Sequence, residues 1–319
     1  MKPVVYVPEP IAPSGLTLLK SECQCLIPWE MGVEIDRNSL YDADAVVVRL
    51  FTVDRQDINK SKQLKVIAKH GVGVDNIDVA AATAAGIPVV STPRANANAV
   101  AEHTLTLMLA LARQVAPASA AIDEGHFSDR GQFQGVELAG KTLGVIGLGN
   151  VGSRVARMAA LGLQMTVKAY DPCLPKGVDT GPAVLEESLE TLLKAADFLT
   201  MHVSLTQETK HMINQQSLRL LKPECRIINT SRGAVIDETA LVQALSQRRV
   251  AGAALDVFED EPLPADNPLV QAPNTLLTPH IASSTRESLD RMSLQAAQGV
   301  LDVLNGRTPE YLFNSEVFG

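Results

Sequence analysis

The strongest constraint on the fold is a glycine-rich stretch, Gly144 to Gly152, which joins a short apolar run to an amphipathic one. The apolar run, Leu143 to Ile146, predicts a strand, and the amphipathic run predicts a helix. Gly147, Gly149 and Gly152 therefore lie where a strand turns into a helix, as in dinucleotide-binding loops. An ordinary turn in an α/β protein is the alternative interpretation.

Each residue of this loop has a task in the dinucleotide interpretation. Gly147 permits a tight turn, Gly149 lets the backbone approach a pyrophosphate, and Gly152 lets the helix pack closely on the strand. Asn150 and Val151 complete the loop. The helix N-terminus, with unpaired N–H groups and a favourable dipole, would then bind the phosphates.

An acidic residue follows at the expected distance. A second strand-like run, Met165 to Tyr170, ends in Asp171, nineteen residues past Gly152. A carboxylate at this strand end accepts hydrogen bonds from the adenosine ribose and repels a 2′-phosphate, so it favours NAD over NADP. The alternative is a chance surface aspartate.

Composition limits the remaining possibilities. A chain of 319 residues with 46% hydrophobic residues suggests two domains with sizeable cores. The net charge of −8, without a basic cluster, counts against nucleic acid or an acidic membrane as partner. No run reaches the roughly 18 to 20 apolar residues of a membrane span, and the N-terminus lacks signal-peptide features. We therefore expect a soluble, cytoplasmic protein.

The four cysteines form neither a CxxC pair nor a metal-like cluster with histidines. They are Cys23, Cys25, Cys173 and Cys225. We expect reduced thiols in or near the cores and no bound metal.

Strands and helices alternate over residues 1 to about 98, which predicts a parallel sheet with crossover helices. Helical stretches such as Ser14 to Ser21 and Val79 to Ala85 separate the strands. The predicted strands are Val4 to Val7, Ala45 to Leu50, Val66 to Lys69 and Pro88 to Val90. A glycine-containing loop, Lys69 to Asp78, follows a strand at the edge where ligands bind in such sheets.

The middle of the chain predicts a complete dinucleotide domain. A long helix, Val100 to Val115, is so apolar that more than one of its faces must be covered, and residues 117–138 are interpreted as loop-rich. Six strands with helices between them follow: Leu143 to Ile146, Met165 to Tyr170, Phe198 to Val203, Arg226 to Asn229, Ala253 to Val257 and Thr275 to Leu277.

A last amphipathic helix, Ser284 to Asn305, is expected to return to the first domain. The predicted fold is therefore α/β with two doubly wound parallel sheets. The domains are 1–98 plus 285–319, which is discontinuous, and 99–284, which binds the dinucleotide.

Three polar residues follow predicted strands and supply the groups that nicotinamide chemistry requires. Arg232 can hold a carboxylate through two parallel hydrogen bonds. Glu261 beside His280 would favour the protonated imidazole, providing a proton donor and acceptor beside the hydride carrier. Each has an ordinary alternative: a solvated arginine, a solvated acidic loop and a structural histidine.

The sequence resembles the D-isomer-specific 2-hydroxyacid dehydrogenase family over essentially its whole length. The matching residues are Gly147 to Gly152 with Asp171, His202 to Thr206, Asn229 to Gly233, Ala254 to Phe258 with Glu261-Pro262, and Pro279-His280. The resemblance implies a flavodoxin-like substrate domain made from both chain ends, a Rossmann NAD-binding domain, and a cleft between them. It assigns Arg232 to substrate carboxylate binding, His280 to acid/base catalysis and Glu261 to pairing with that histidine.

The resemblance also implies further contacts. Val72 and Gly73 would offer N–H groups to the substrate carboxylate, and Asn96 would lie near it. The implied cofactor-lining residues are Thr104, His202, Thr230 and Asp256, the last by way of the nicotinamide carboxamide. The long helix from Val100 and the loop after it resemble the family's homodimer contact.

Two departures from the family pattern stand out. Asn150 occupies a position where many relatives have arginine beside the pyrophosphate, so that contact is lost or moved to Arg154. Ser204 replaces a common proline.

Within the family, Arg49 and Arg130 resemble features of phosphoglycerate dehydrogenases, and each could meet a phosphate. Leu50-Phe51 is bulkier than that subgroup's usual pair, His70 is atypical, and the chain ends without a regulatory domain. The substrate is therefore left open among phosphohydroxypyruvate, hydroxypyruvate, glyoxylate and longer 2-oxo acids. An NAD(H)-sensing protein like the related corepressors is the alternative from another class.

Overall fold

The computed structural model of the protein describes residues 2–175 and 177–318. The chain divides into two compact units. The first ends at Asn96 and resumes at Ser284, and the second is Ala97–Ser283. These divisions lie within two residues of the predicted domain limits.

The first unit contains a five-stranded parallel sheet in the order β2-β1-β3-β4-β5. This is the flavodoxin-like order of a doubly wound sheet. The strands are β1 (Val4–Tyr6), β2 (Gln24–Leu26), β3 (Ala45–Val48), β4 (Val66–Lys69) and β5 (Val89–Val90).

Helices cover both faces of this sheet because alternate residues of each buried strand point to opposite sides. Val5 and Val47 belong to the core on one face, whereas Tyr6 and Val46 belong to the core on the other. The helices are α1 (Pro13–Glu22), α2 (Pro28–Met31), α3 (Arg37–Tyr41), α4 (Arg55–Lys60), α5 (Val79–Ala84) and α13 (Arg286–Leu304), with a 3-10 turn at Ser315–Phe318.

The C-terminal helix α13 belongs to the first unit and packs directly against α1. Gly15 makes the close approach possible, since a Cβ at this position would lie 2.5 Å from the carbonyl oxygen of Ser293. The Ser293 hydroxyl also accepts a hydrogen bond from the Ala12 N–H at 2.8 Å and lies 2.9 Å from His70 Nε2. Through Ser293, helix α13 is therefore connected to His70, the residue directly before the loop that starts at Gly71.

The second unit contains a seven-stranded parallel sheet in the order β12-β11-β10-β9-β6-β7-β8. Its first six strands in chain order follow the Rossmann arrangement, and β12 extends one edge. The strands are β6 (Thr142–Ile146), β7 (Thr166–Tyr170), β8 (Val184–Leu185), β9 (Phe198–Met201), β10 (Arg226–Asn229), β11 (Gly252–Leu255) and β12 (Thr275–Leu277).

The long apolar helix α6 (Ala97–Ala112) packs on one face of this sheet beside α8 (Gly152–Leu163). Its contacts with β10, β11 and β12 cover much of its apolar surface, while Leu109 stays exposed. The other helices are α7 (Val115–Asp123), α9 (Leu189–Ala195), α10 (Gln215–Leu220), α11 (Glu238–Ser246) and α12 (Pro268–Gln271), with 3-10 turns at Phe127–Gln132 and Gly233–Val235.

The predicted α/β fold with two doubly wound parallel sheets is confirmed, but three details of the sequence analysis were wrong. Residues 117–138 are not only loop, since α7 and a 3-10 turn occupy much of them. The short strands β2 and β8 were missed. Cys173 is exposed and not near a core, whereas Cys23 and Cys225 are buried free thiols.

No single helix in the described residues is long and apolar enough to cross a membrane. The pair α6 and α7, bent by 64°, passes that test by length and composition only.

The crossing of α1 and α13 generates a stability prediction. Gly15→Ala should lower the free energy of unfolding by about 1 to 3 kcal/mol, because the new methyl group meets rigid backbone. Gly162→Ala in α8 is the control, since its Cβ would meet nothing within 4 Å. That change should be neutral or raise stability by about 0.5 to 1 kcal/mol. Urea denaturation of both variants checks the pair, and equal effects would contradict the account.

Candidate active site

The glycine loop has the geometry of a phosphate-binding turn. Gly147 adopts a φ of 87°, and a Cβ there would lie 2.6 Å from the His202 carbonyl oxygen. A Cβ at Gly152 would lie 1.9 Å from the Gly147 carbonyl oxygen. At Gly149, by contrast, a Cβ would meet nothing within 4 Å. The protein itself therefore requires two of the glycines, and the third leaves room for a ligand beside the backbone, as a pyrophosphate needs.

Asp171 lies directly after β7 and is bonded to the glycine loop. Its Oδ2 accepts a hydrogen bond from the Leu148 N–H at 2.8 Å, and its Oδ1 accepts one from the Cys173 N–H at 3.0 Å. Arg154 donates from Nη1 to the Asn150 carbonyl oxygen, so its guanidinium group folds back on the loop. The acidic side chain and the phosphate-binding turn thus form one connected structure.

Two predicted cofactor-lining residues meet in the second unit. The hydroxyl groups of Thr104 on α6 and Thr230 after β10 lie 2.9 Å apart, and both residues are buried. His202, directly after β9, has its Nε2 3.0 Å from the Thr200 hydroxyl. Burial lowers the pKa of His202 to about 3, so its ring is neutral at physiological pH.

The predicted acid–histidine pair is present in the structure. His280 Nδ1 lies 2.6 Å from Glu261 Oε2, and the other carboxylate oxygen accepts a hydrogen bond from the Phe258 N–H at 3.0 Å. Burial alone would raise the pKa of Glu261, but the His280 and Phe258 hydrogen bonds and the charge of Arg232 lower it below its usual value. Glu261 is therefore ionised at neutral pH. Both side chains remain partly exposed, at 45% for His280 and 34% for Glu261.

Arg232 is held close to this pair by a tight packing of two segments. A Cβ at Gly233 would lie 1.8 Å from the Phe258 carbonyl carbon, so the chain after β10 lies directly against the chain after β11. The Arg232 guanidinium donates to the Ser231 carbonyl at 2.7 Å, and the Arg232 carbonyl accepts from Asn229 Nδ2 at 2.8 Å. The structure thus brings Arg232, Glu261 and His280 together.

Asp256 holds the segment that carries His280. Its fully buried carboxylate accepts hydrogen bonds from the Thr278 hydroxyl at 2.5 Å and from the N–H groups of Ile281 and Ala282 at 2.9 and 2.8 Å. Burial alone would raise the pKa of Asp256, but these bonds and the nearby His103 ring lower it. The carboxylate is therefore ionised, and it braces a segment in which His280 adopts a φ of 51°.

Sequence reasoning missed His103 and Thr278 in this arrangement. His103 Nε2 on α6 lies 3.4 Å from Asp256 Oδ1 and 3.2 Å from the Thr278 hydroxyl. His103 directly precedes Thr104 and Thr278 lies two residues before His280, but no local pattern links either residue to Asp256. The bracing of the segment by Asp256 is observed, whereas its contact with the nicotinamide carboxamide stays a prediction.

The residues predicted to contact the substrate, in the loop after β4 and at Asn96, have polar atoms without a hydrogen-bond partner among the described residues. In residues 2–175 and 177–318, the N–H groups of Val72 and Gly73 make no hydrogen bond within the chain. The preceding Gly71 carbonyl is fixed by the N–H and hydroxyl of Thr92, at 2.9 and 3.0 Å. Asn96 Oδ1 is buried without a partner among the described residues. Such unsatisfied groups need a partner, which a polar ligand can supply.

The two arginines with possible phosphate contacts lie in different units. Arg49 follows β3 in the first unit, whereas Arg130 is exposed in the 3-10 turn Phe127–Gln132 of the second. No group of three or more histidine, cysteine or acidic side chains in the described chain is arranged to hold a metal ion.

Comparisons with known proteins give the family. Residues 105–282 match the model of the D-isomer specific 2-hydroxyacid dehydrogenase NAD binding domain. A glyoxylate reductase of Thermofilum pendens is 39% identical over 325 residues, covering 99% of this chain and 96% of that protein. The chain belongs to the D-isomer specific 2-hydroxyacid dehydrogenase family. Members of this family are oxidoreductases that use NAD(P).

Two further family members illustrate the range. A D-3-phosphoglycerate dehydrogenase of Methanocaldococcus jannaschii is 42% identical over 313 residues, covering 97% of this chain. The chain spans 59% of that protein's length, and about half the length of other phosphoglycerate dehydrogenases that it matches. The structure of a D-lactate dehydrogenase of Aquifex aeolicus, complexed with NAD and lactic acid, superposes with a TM-score of 0.86 at 30% identity, covering 98% of this chain and 99% of that one.

The bracing role of Asp256 can be tested by Asp256→Asn. The side-chain NH₂ of the asparagine would face one of the N–H groups that now donates a hydrogen bond to the carboxylate. That buried N–H group would then have no acceptor. We expect the free energy of unfolding to fall by about 1 to 3 kcal/mol. Asp123→Asn, at an exposed position at the end of α7, is the control. Urea denaturation checks this, and an Asp256→Asn variant as stable as its control would refute the role.

Proposed function

We propose that this protein is an NAD-dependent dehydrogenase that interconverts a small D-2-hydroxy acid and the corresponding 2-oxo acid. The 2.6 Å contact between His280 Nδ1 and Glu261 Oε2 is the observation that carries the proposal. The pair lies in the unit that also holds the glycine loop and Asp171. A hydride and proton transfer requires such an acid/base pair together with a site for the nicotinamide cofactor.

His280 is the acid/base group in this proposal. Its Nδ1 is engaged by Glu261, which leaves Nε2 to give a proton to the carbonyl oxygen of the 2-oxo acid. The ionised Glu261 lies 2.6 Å from Nδ1 and fixes the orientation of the ring. In the oxidation direction, Nε2 takes the proton from the substrate hydroxyl.

Arg232 and the loop after β4 bind the substrate in this proposal. The planar guanidinium of Arg232 suits a carboxylate and polarises the neighbouring carbonyl. Val72 and Gly73, whose N–H groups form no hydrogen bond among the described residues, would offer further donors to the substrate carboxylate. Asn96, with a buried atom that has no partner in the described chain, supplies a further polar contact.

The cofactor is proposed to be NAD and not NADP. When bound, NADH supplies the hydride. The glycine loop with Asn150 and Val151 would hold the pyrophosphate, and Thr104, His202, Thr230 and Asp256 would line the rest of the site. Asp171 would accept hydrogen bonds from the ribose hydroxyls and repel a 2′-phosphate, because its carboxylate stands directly at the end of β7.

The substrate is a 2-oxo acid with a small substituent. Similarity to both a D-3-phosphoglycerate dehydrogenase and a glyoxylate reductase makes phosphohydroxypyruvate, hydroxypyruvate and glyoxylate the first candidates. Arg49 favours an anionic substituent, whereas the exposed Leu50 beside it favours a smaller or apolar one. We also propose a homodimer that uses α6, α7 and the 3-10 turn after them, since apolar side chains are exposed there: Leu109, Val115, Ile122 and Phe127.

The decisive experiment is the oxidation of NADH and of NADPH across a panel of 2-oxo acids. The panel contains phosphohydroxypyruvate, hydroxypyruvate, glyoxylate and longer 2-oxo acids. Turnover with preference for NADH supports the proposal. Tight NADH binding without turnover of any compound contradicts it and favours an NAD(H) sensor.

His280→Gln tests the acid/base role directly. The glutamine cannot relay the proton, so kcat should fall by roughly 10² to 10⁴. NADH affinity, measured by fluorescence titration, should stay unchanged. His126→Gln is a matched control, because His126 also lies beside a carboxylate, that of Glu124 at 3.5 Å, but on the exposed surface. Near-normal turnover of His280→Gln would overturn the assignment.

A further inference from the structure

Glu9, which has no role in the proposed function, is hydrogen-bonded to the loop after β3. The Glu9 carboxylate accepts hydrogen bonds from three successive backbone N–H groups. Oε2 accepts from Arg49 at 2.7 Å, from Leu50 at 2.9 Å and from Phe51 at 2.8 Å, and Oε1 accepts from Leu50 at 2.9 Å. Three consecutive N–H groups on one anion are a strong, charge-assisted contact.

The carbonyl groups of the same loop are held from the other side. Lys69 Nζ donates to the Arg49 carbonyl at 2.5 Å, and Asn76 Nδ2 donates to the Phe51 carbonyl at 2.6 Å. Lys69 Nζ also donates to Asn76 Oδ1 at 2.5 Å, which connects the two donors. Both the N–H groups and the carbonyls of this short loop are therefore fixed.

The Phe51 ring anchors the end of the loop. It packs edge-on against the buried Tyr6, with ring centroids 6.1 Å apart, and the Arg37 guanidinium lies 4.9 Å from its centroid. Leu50, by contrast, is 77% exposed. The loop is thus held by its backbone and by Phe51, while the Leu50 side chain is exposed and Arg49 is half-buried.

The charge of Arg49 is not neutralised by this glutamate. The Glu9 oxygens contact the Arg49 backbone, whereas the Arg49 guanidinium donates to the neutral Pro10 carbonyl at 3.0 Å. No carboxylate in the described chain forms an ion pair with Arg49. Glu9 and Pro10 together therefore hold Arg49 at both ends and leave its positive charge available to a ligand.

We propose that Glu9 is a positioning residue for substrate binding, which acts by fixing the direction in which Arg49 meets the 2-oxo acid. This inference rests on the proposed function. An arginine has many rotamers, and holding it in one geometry beforehand removes an entropic penalty from binding. Glu9 does not touch the substrate, and its effect reaches the reaction only through Arg49.

The test is a double-mutant cycle, measured with the best 2-oxo acid of the panel. Glu9→Ala should raise KM by roughly 10- to 100-fold, because a displacement of about 1 Å in a binding group has effects of this size. In an Arg49→Ala background, the same Glu9→Ala change should alter KM by less than about twofold, because Glu9 affects substrate binding only through the Arg49 side chain. NADH affinity should not change in any variant.

Glu9→Gln keeps the inference testable if Glu9→Ala folds poorly. The glutamine oxygen can replace Oε2, which accepts from all three N–H groups, so the loop stays bonded but loses the ionic contribution. KM should rise less than in Glu9→Ala and again only when Arg49 is present. Glu34→Gln, at an exposed position in the same unit, is the control and should leave KM unchanged.

The outcomes separate this inference from the function on which it rests. No turnover by the wild-type protein defeats the proposed function. Wild-type turnover with a Glu9 effect that is equally large in the Arg49→Ala background would mean a general structural role and overturn the positioning role. An unchanged KM in Glu9→Ala, with the Arg49→Ala variant impaired, would overturn it as well.

Discussion

The parallel direction of the strands is the constraint on which the functional residues depend. All strands of each sheet run the same way, so the residues that follow them gather at one edge. In the second unit, one residue of the candidate site comes directly after each of six strands. These residues are Gly147, Asp171, His202, Thr230, Asp256 and Thr278. In the first unit, Arg49 follows β3 and His70 follows β4 in the same way.

Carboxylates stabilise these strand ends mainly by accepting hydrogen bonds from backbone N–H groups, and less by forming ion pairs with cations. Asp171 does so for the glycine loop, Asp256 for the segment of His280, and Glu9 for the loop of Arg49. Residues just past a strand have N–H groups that the sheet no longer satisfies, and an anion binds several of them at once. In the first unit, this arrangement leaves Arg49 without an ion pair to any carboxylate of the described residues.

Much of this was predictable because the signals are local. The glycine loop, Asp171 and the central apolar strands are short-range patterns, and they predicted the α/β fold correctly. Helix α7 was missed because most of it lies in residues 117–138, which were interpreted as loop-rich. Pro117 does not prevent this helix, since proline is tolerated in the first turn. The edge strands β2 and β8 have only three and two residues, with much exposed surface, so they lack a buried pattern. The hydrogen bonds between Glu9 and residues 40 to 42 positions away have no local sequence signal.

The central claim is that Glu261, 2.6 Å from His280 Nδ1, holds this histidine in position to transfer a proton to a 2-oxo acid. The most direct measurement is kcat for reduction in the wild-type protein and in Glu261→Ala, which removes the partner of the ring. We expect kcat to fall by at least about tenfold, because a displaced ring loses part of the roughly 10² to 10⁴ that acid/base catalysis contributes, while NADH affinity stays unchanged. An unchanged kcat in Glu261→Ala would contradict the account.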